Sequence, residues 1–446
     1  MRHLWWYLTV TPLATFGIWA TSLIVPSFPV LAPVLETPHS KTVPFPEAKS
    51  LQELYQIRDR LQADLAKRQP VLISSQTGTA TAPTELLDSL QAVEIHIQVE
   101  ESAKQSWNDA IRFANQATAL KSQADDSEES AKQAYTLWKQ AMDSLKEVSK
   151  DSFMAAQAEA KRKEYENNYA VAAYRYDTVR SGFLKAIAEK TGMASRVRVT
   201  VCNMQRECRR LRGNEPPASP ASLIKVPVAV ALMAKLDEEK INPETKIMVS
   251  RGNWTEDAGK IWVGSEYSLK KIMLDMISYS GNIATNQLID YVGRDYINQV
   301  LRDRGYTTTT VRTKLVGQST YPANLGTPPN VMTTDELTDM MVGIYNQEHP
   351  GDDLILEGLV NQYDWELGYE AVKRPAVWIG EKTGQNSKVL GSTTGVNIQG
   401  ERYVITVTID YTASEPAVKT VIQGVVEYLV KNNGFGGNTA APPAEG

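Results

Sequence analysis

Ser222 and Lys225 stand three residues apart at the head of an apolar run, ASLIKVPVAVAL. At the start of a helix this spacing puts both side chains on one face, close enough to touch. A serine hydroxyl is a poor nucleophile until a base takes its proton, and burial makes a lysine a better base by lowering its pKa. The N–H of Ser222, in the first turn, is also free to face a developing oxyanion. The pair therefore predicts nucleophilic catalysis.

Spacing alone does not identify the site, because the chain repeats both of its short lysine patterns. Ser268 and Lys271 repeat the serine–lysine spacing, but Ser268 is predicted to be a helix N-cap with the lysines facing water. Lys-Thr-Gly occurs at 190–192, where Gly192 ends a helix, and again at 382–384, where it ends a strand. A third pattern, Ser280-Gly281-Asn282, lies in a loop between helical stretches and can direct two polar side chains into one cleft.

The elements that must position these residues follow a mixed order. A helix leads to the strand RVRVTVCNM, and residues 222–346 read mostly as helices. Three strands follow (RPAVWIGEKTG, KVLGSTTGVNIQ and RYVITVTIDYT), and the helix EPAVKTVIQGVVEYLV closes the domain. In the third of these strands Tyr403, Ile405, Val407 and Ile409 alternate with other residues, as in a half-buried strand. This order predicts an α+β domain with one antiparallel sheet.

In chain order, Ser222-x-x-Lys225, Ser280-x-Asn282 and Lys382-Thr383-Gly384 form the motif set of class A β-lactamases and penicillin-binding proteins. The flanking stretches SPASLIKVPVAVALMAKLDEEK and MISYSGNIATNQLIDYVG also resemble those of class A enzymes. The resemblance covers about residues 176–432. It implies a β-lactamase/transpeptidase-like fold, in which an antiparallel sheet flanked by helices carries a helical subdomain.

The same resemblance implies roles for the catalytic groups. Ser222 is the acylated nucleophile, Lys225 its activating base, and Ser280 the group that passes a proton to the leaving nitrogen. The backbone N–H groups of Ser222 and Gln385 form the oxyanion hole.

The resemblance also implies that the substrate is a β-lactam or a peptidoglycan stem peptide, and that four residues bind it. Asn282 holds the substrate's amide side chain, and Lys382 and Thr383 bind its carboxylate. Gly384 lets the substrate lie against the strand edge.

One part of the class A pattern is missing. Class A enzymes use a loop glutamate to activate the deacylating water, yet no Asp or Glu occurs from Arg304 to Thr334. Glu336 follows, and we interpret it as a first-turn acid that interacts with its helix dipole. Asn286, which helps to hold this loop in the family, is retained without its usual partner. Gly281 replaces an aspartate that is common in class A.

Three functions remain open at this point. The first is a β-lactamase-like hydrolase that turns over slowly or activates water in another way. The second is a penicillin-binding or DD-peptidase-like enzyme that acts on peptidoglycan. The third is a non-turnover envelope sensor or binding module.

The amino-acid composition argues against several other classes of function. A formal net charge of -5 gives no reason to expect nucleic-acid binding. Only 4 His occur in 446 residues, which argues against a Ser-His-Asp hydrolase and a His-rich metal site. No pattern predicts a metal or an organic cofactor.

Residues 1–35 are uncharged from Leu4 onward, and Leu4 to Val25 is long enough to span a membrane. We interpret residues 1–35 as a transmembrane anchor, with a cleaved signal peptide as the alternative. Either one places the catalytic domain in the cell envelope on the extracytoplasmic side, or outside the cell after cleavage. A Pro-rich linker, 36–46, follows.

Cys202 and Cys208 bracket NMQRE. A hairpin turn would bring them together as a disulfide, which requires an oxidising compartment. Two free thiols, one in a strand and one in a loop, are the alternative. The exported N-terminus favours the disulfide.

Residues 47–175 predict an all-α, coiled-coil-like helical hairpin. Two long helical stretches, 85–121 and 127–173, are joined by SQADDSEES, and Trp107 and Trp138 are expected to pack across their interface. This region is interpreted as a protein-interaction module or a spacer. The tail, 433–446, is expected to be disordered.

Overall fold

The computed structural model describes residues 48–72, 82–121, 127–256, 259–317 and 328–436. The predicted anchor or signal peptide and the Pro-rich linker lie outside the described residues, as does the tail beyond Gly436. The prediction of disorder was wrong for residues 433–436, because Phe435 is buried there against Tyr403. The described helices include none that is both long enough and apolar enough to cross a bilayer. The chain divides into two compact units, residues 1–97 and residues 98–446.

The first unit holds α1 (Leu51–Leu72) and the beginning of α2 (Ala82–Lys121). Its small core consists of Leu54, Val93 and Ile97, all buried. These apolar contacts fix the two helices against each other within this unit.

The second unit begins with a helical bundle formed by the rest of α2, α3 (Glu128–Lys146) and α4 (Ala155–Val179). Small alanines of all three helices, such as Ala110, Ala141 and Ala158, lie buried in its core. Trp138 is buried there and meets Tyr165 edge-on, with 5.2 Å between the ring centroids. Trp107 is half-buried against the same cluster.

The prediction of one unbroken helical stretch from 127 to 173 was wrong, because residues 147–154 separate α3 from α4. The break has a side-chain cause. Glu100 of α2 accepts a hydrogen bond from Ser152 Oγ at 2.9 Å and from the Phe153 N–H at 2.8 Å. Serine side chains also satisfy turn N–H groups here, since Ser152 Oγ accepts from Met154 N. Such local bonds compete with helix continuation.

The domain that follows is α+β, as predicted. Its five strands form one antiparallel sheet in the order β2-β1-β7-β6-β5. The strands are β1 (Val197–Asn203), β2 (Cys208–Leu211), β5 (Val377–Asn386), β6 (Val389–Ile398) and β7 (Glu401–Asp410). A separate two-stranded sheet pairs β3 (Lys246–Met248) with β4 (Glu266–Ser268).

Helices cover both faces of the five-stranded sheet. The helices of this domain are α5 (Gly182–Glu189), α6 (Lys225–Glu238), α7 (Leu269–Ser278), α8 (Asn282–Val292), α9 (Arg294–Asp303), α10 (Thr334–Asn346), α11 (Asp352–Val360), α12 (Glu366–Ala371) and α13 (Glu415–Asn432). One core lies between the sheet and α5, α12 and α13. The other extends through α6 to α11.

The alternation predicted for β7 is observed, but the strand is buried on both faces. Tyr403, Ile405, Val407 and Ile409 belong to the core shared with α13. Thr406 and Thr408, on the opposite face, are also fully buried, because α10 packs there. The hydroxyl of Thr406 is satisfied there by a hydrogen bond with Thr393 at 2.7 Å.

The bundle is tied to this domain at the end of α4. Asp177 accepts from Arg180 at 3.1 Å and also from Arg210 of β2. Ser181, just after α4, accepts from the Arg210 N–H at 2.7 Å. The boundary predicted at residue 176 therefore falls within the last turn of α4, at a region that contacts the sheet.

Candidate active site

Ser222 lies in a 3-10 turn, Ala221–Ile224, that runs directly into α6. Lys225 is the first residue of α6 and is fully buried. Leu223 and Ile224 are buried between them and fix the turn in the core. Ala221 has a φ of 46°, a left-handed conformation that a non-glycine residue adopts only when its surroundings impose it.

Lys225 is held by the Ser280–Asn282 loop. Its Nζ donates to the Ser280 carbonyl oxygen, to Ser280 Oγ at 3.1 Å and to Asn282 Oδ1 at 2.9 Å. The predicted base and the predicted proton relay are therefore in direct hydrogen-bonded contact. A proton can pass between these two side chains without rearrangement.

Ser280 has a φ of 58°, again left-handed. The loop that carries it joins α7 to α8, and Asn282 is the first residue of α8. Strain of this kind is concentrated at functional sites, where it fixes side chains in positions that relaxed backbone would not give.

Asp275, near the end of α7, shapes the same loop. Its main-chain carbonyl accepts from the N–H groups of Tyr279 and Gly281, and its Oδ1 accepts from the Lys260 N–H at 2.6 Å. A Cβ added to Gly281 would lie 2.1 Å from Asp275 Oδ2. Asp275 therefore fills the space that a side chain at position 281 would need. The sequence analysis did not identify this role of Asp275.

Lys382, Thr383 and Gly384 lie on β5. Lys382 is fully buried, its Nζ donates to the Thr383 carbonyl oxygen at 3.0 Å, and burial lowers its pKa to about 8. A Cβ added to Gly384 would lie 2.9 Å from the Leu223 nitrogen and 3.2 Å from the Ser222 nitrogen. Glycine at this position thus lets β5 approach the nucleophile turn.

A cavity of about 240 Å³ opens at this meeting point. Its lining includes five residues predicted from sequence: Ser222, Ser280, Thr383, Gly384 and Gln385. Lys225, Asn282 and Lys382 are not part of the lining. Lys225 contacts the lining residue Ser280, Asn282 contacts Lys225, and Lys382 lies next to Thr383 on the strand.

Five further lining residues were not predicted. They are Asp364, Glu366, Leu367, Leu390 and Glu415. Three of these are carboxylic acids, so the part of the lining outside the motifs is acidic in composition. Asp364 and Glu366 come from the segment before and within α12, which has no recognisable motif, and only the fold brings them to the site.

The loop after α9 contains no water-activating acid in its described part. Glu336 accepts from the N–H groups of Thr308 and Thr309, at 2.8 and 2.6 Å, while its own N–H donates to the α10 N-cap Thr333. It therefore ties the loop to α10, beyond its first-turn role. Asn286, which lacks the usual partner of the family, exchanges two hydrogen bonds with the Leu315 main chain instead, at 2.9 and 2.7 Å.

The second copies of the motifs lie in ordinary helix-end geometry. Ser268 Oγ accepts from the Lys271 N–H at 3.2 Å and so caps α7. Thr191 Oγ1 donates to the Ala188 carbonyl at the end of α5, and Gly192 has a φ of 68°. Neither copy lines the cavity.

Cys202 and Cys208 form a disulfide. They are directly opposite each other in the β1–β2 hairpin, which explains how the chain brings them together. Within the described ranges, no group of three or more His, Cys, Asp or Glu side chains is arranged to hold a metal ion.

A family model and several solved structures of known proteins match the same part of this chain. A family model described as the beta-lactamase enzyme family matches residues 182–432. The solved structure of PBP-A is 21% identical, covering 56% of this chain and 97% of that chain, with a TM-score of 0.50. TLA-3 extended-spectrum beta-lactamase is 17% identical, covering 56% and 99%, also with a TM-score of 0.50.

A β-lactamase from Sphaerobacter thermophilus DSM 20745 is 22% identical, covering 55% of this chain and 96% of that chain, with a TM-score of 0.49. No match was found among curated proteins. At these identities the two structures with a score of 0.50 establish the fold alone.

Proposed function

Because the chain belongs to the beta-lactamase enzyme family, we propose that it acts as a serine hydrolase and forms an acyl-enzyme at Ser222. The substrates proposed are β-lactams or peptidoglycan-like amides. The observation that carries the proposal is the contact of Lys225 Nζ with Ser280 Oγ and Asn282 Oδ1, beside a cavity that Ser222 and Ser280 share.

In the proposed acylation, Ser222 Oγ attacks the amide carbonyl carbon and Lys225 Nζ takes the hydroxyl proton. The carbonyl oxygen becomes an oxyanion facing the N–H groups of Ser222 and Gln385. When the C–N bond breaks, Ser280 Oγ donates a proton to the nitrogen and regains one from Lys225. The products are an ester at Ser222 and an amine, which is released from a peptide amide but stays attached to the acyl group of an opened β-lactam.

The substrate carboxylate is proposed to bind Thr383 Oγ1, while the buried Lys382 ammonium next to it supplies positive charge. Thr383 lines the cavity and is 8% exposed, so its hydroxyl acts in a site with little competing water. Gly384 allows the substrate to lie along the edge of β5.

Deacylation is proposed to be slow. The loop between Arg304 and Thr334 has no carboxylate, and Glu336 is already committed to Thr308 and Thr309. This same neutral loop favours a second candidate, a penicillin-binding or DD-peptidase-like enzyme that acts on peptidoglycan stem peptides. A sensor that is acylated without turnover, and that signals through the helical region to a partner, is the third.

We propose further that the domain works in the cell envelope. The uncharged segment from Leu4 to Leu35 and the Cys202–Cys208 disulfide support export, since disulfides persist in oxidising compartments. Membrane attachment through residues 1–35 is part of this proposal.

Intact-mass spectrometry of the protein with benzylpenicillin tests the proposal. A transient adduct supports the hydrolase, and an adduct lasting hours supports the penicillin-binding enzyme or the sensor. Absence of any adduct on the folded protein would contradict acylation altogether. Release of D-alanine from a stem peptide then separates the enzyme from the sensor.

A further inference from the structure

Glu381 precedes the Lys-Thr-Gly motif and lies on β5 with its side chain buried at 0% exposure. It is directly opposite Thr394 of β6, and Thr383 is directly opposite Ser392. Residues two apart on a strand share one face of the sheet. Glu381 is therefore on the same face as the lining residue Thr383, two residues away along β5.

The Glu381 carboxyl joins two elements of the cavity wall. Its Oε2 accepts from Ser392 Oγ at 3.0 Å and from Thr394 Oγ1 at 3.1 Å. The main-chain N–H of Gly368, in α12, approaches the same carboxyl and acts to lower its pKa. A Cβ added to Gly368 would lie 2.1 Å from Glu381 Oε2, so glycine is what lets α12 come this close.

The contact matters for the site because α12 supplies Glu366 and Leu367 to the cavity lining. Gly368 follows them directly. The carboxyl of Glu381 thus fixes the position of one cavity wall relative to the strand that carries Lys382 and Thr383.

The other carboxyl oxygen points to a neutral group. Glu381 Oε1 is buried and has no hydrogen-bond partner among the described residues. A buried carboxylate with one unsatisfied oxygen is costly, whereas a protonated carboxyl is much less so. Burial raises the pKa of Glu381 to about 8, even though Ser392, Thr394, Gly368 and the Lys382 charge oppose this.

We propose that Glu381, in its protonated form, is a positioning residue that holds the α12 wall of the cavity against β5 and that its ionisation at alkaline pH loosens this wall. Only the effect on substrate affinity rests on the proposed acyl-enzyme function. The titration of Glu381 and its contact with α12 do not depend on whether the protein is an enzyme.

Among the other ionisable groups around this contact, Lys382 titrates in the same pH range, because burial brings its pKa to about 8 as well. Lys382 is its neighbour on β5, and Tyr345 of α10 lies buried close enough for Glu381 to raise its pKa. Further charged groups nearby are Asp364 before α12 and Arg402 on β7, together with four on α12 and α13: Glu366, Glu370, Glu415 and Lys419. Glu370 and Glu415 are both paired with Lys419.

The first test compares thermal unfolding of Glu381→Gln and the wild type from pH 5 to pH 9. The unfolded-state pKa is near 4.5 and the folded-state pKa near 8, so the wild type loses stability as pH rises between them. Glutamine keeps the shape and does not titrate. The Tm of the variant relative to wild type should therefore increase steadily from pH 5 to pH 8.

Glu370→Gln, on the solvent side of the same helix, is the matched control and should show no such trend. A Tm difference between Glu381→Gln and wild type that stays constant across this pH range would overturn the proposal. This measurement needs no substrate, so it decides on Glu381 even if the protein never forms an adduct.

The second test measures acylation by benzylpenicillin at pH 6.5 as a function of concentration. Glu381→Gln should match the wild type, while Glu381→Ala should weaken the apparent affinity about tenfold through the unpaired donors and leave the limiting acylation rate unchanged. Equal losses in both variants would mean that a charged carboxylate is required and would contradict the proposal. So would a loss confined to the limiting rate.

Discussion

Replacing Gly281 by aspartate introduces the residue common in class A β-lactamases into a space that Asp275 already occupies. Gly281 has a φ of -59°, which any residue adopts, so the backbone is no obstacle. The obstacle is the Asp275 carboxylate, because the new Cβ would lie 2.1 Å from its Oδ2. Asp275 cannot move away freely, since its Oδ1 accepts from the Lys260 N–H at 2.6 Å.

The cost of Gly281→Asp has two parts. Overpacking in a buried site costs about 2 kcal/mol. A second carboxyl beside Asp275, which is 4% exposed, adds about 1–3 kcal/mol of unfavourable interaction and lost hydrogen bonding. The variant should therefore be destabilised by about 3–5 kcal/mol.

A double-mutant cycle measured by urea denaturation tests this reasoning. Asp275→Ala frees the space, so Gly281→Asp should cost about 2–3 kcal/mol less in that background than in the wild type. Gly281→Asn, which has the same shape without the charge, separates crowding from repulsion and should fall between the wild type and Gly281→Asp. If Gly281→Asp costs the same with and without Asp275, then Asp275 does not fill this space.

Three further predictions concern charge, covalent linkage and the loop. Lys382 is charged below about pH 8, so the affinity for benzylpenicillin should fall about tenfold from pH 7 to pH 9 as the ammonium is lost. The control variant Lys382→Gln should bind weakly at every pH. An affinity of the wild type that does not change with pH would contradict the anchoring role of Lys382. Replacing Cys202 and Cys208 together by serine should lower the free energy of unfolding in urea by about 2 kcal/mol for so short a loop, and an unchanged midpoint would exclude a stabilising disulfide. Glu336→Gln should lower the free energy of unfolding by about 1–2 kcal/mol, because it weakens the bonds to Thr309. The lifetime of the penicillin adduct should be the same in this variant as in the wild type. A lifetime at least ten times longer would identify Glu336 as the group that activates water.

The parts of the fold with strong periodicity were predictable. The strands β5, β6 and β7 and the helix α13 correspond to the stretches expected from alternation and amphipathic pattern. The short strands β3 and β4 were missed, because three residues are too few to show a period of two. The break between α3 and α4 was missed because it contains no glycine or proline and depends on Glu100, which is distant in sequence.

The residues of the candidate site were likewise predictable only where a sequence motif marks them. Ser222, Ser280, Thr383, Gly384 and Gln385 carry or adjoin motifs, and the fold places all five around one cavity.

The residues that the motifs do not mark stayed hidden. Asp364, Glu366 and Glu415 acquire a role only when α12 and α13 pack beside β5. Asp275 is an acid within an apolar helix, LKKIMLDMIS, and that mismatch was the one signal in the sequence that could have identified it.

Localising the penicillin adduct by tandem mass spectrometry of proteolytic peptides tests the central claim most directly. The modification should be on Ser222; Ser222→Ala should remain folded and unlabelled, and Ser268→Ala should label like the wild type. Label that persists in Ser222→Ala, or that maps to the peptide containing Ser268, would contradict the assignment of Ser222 as the nucleophile.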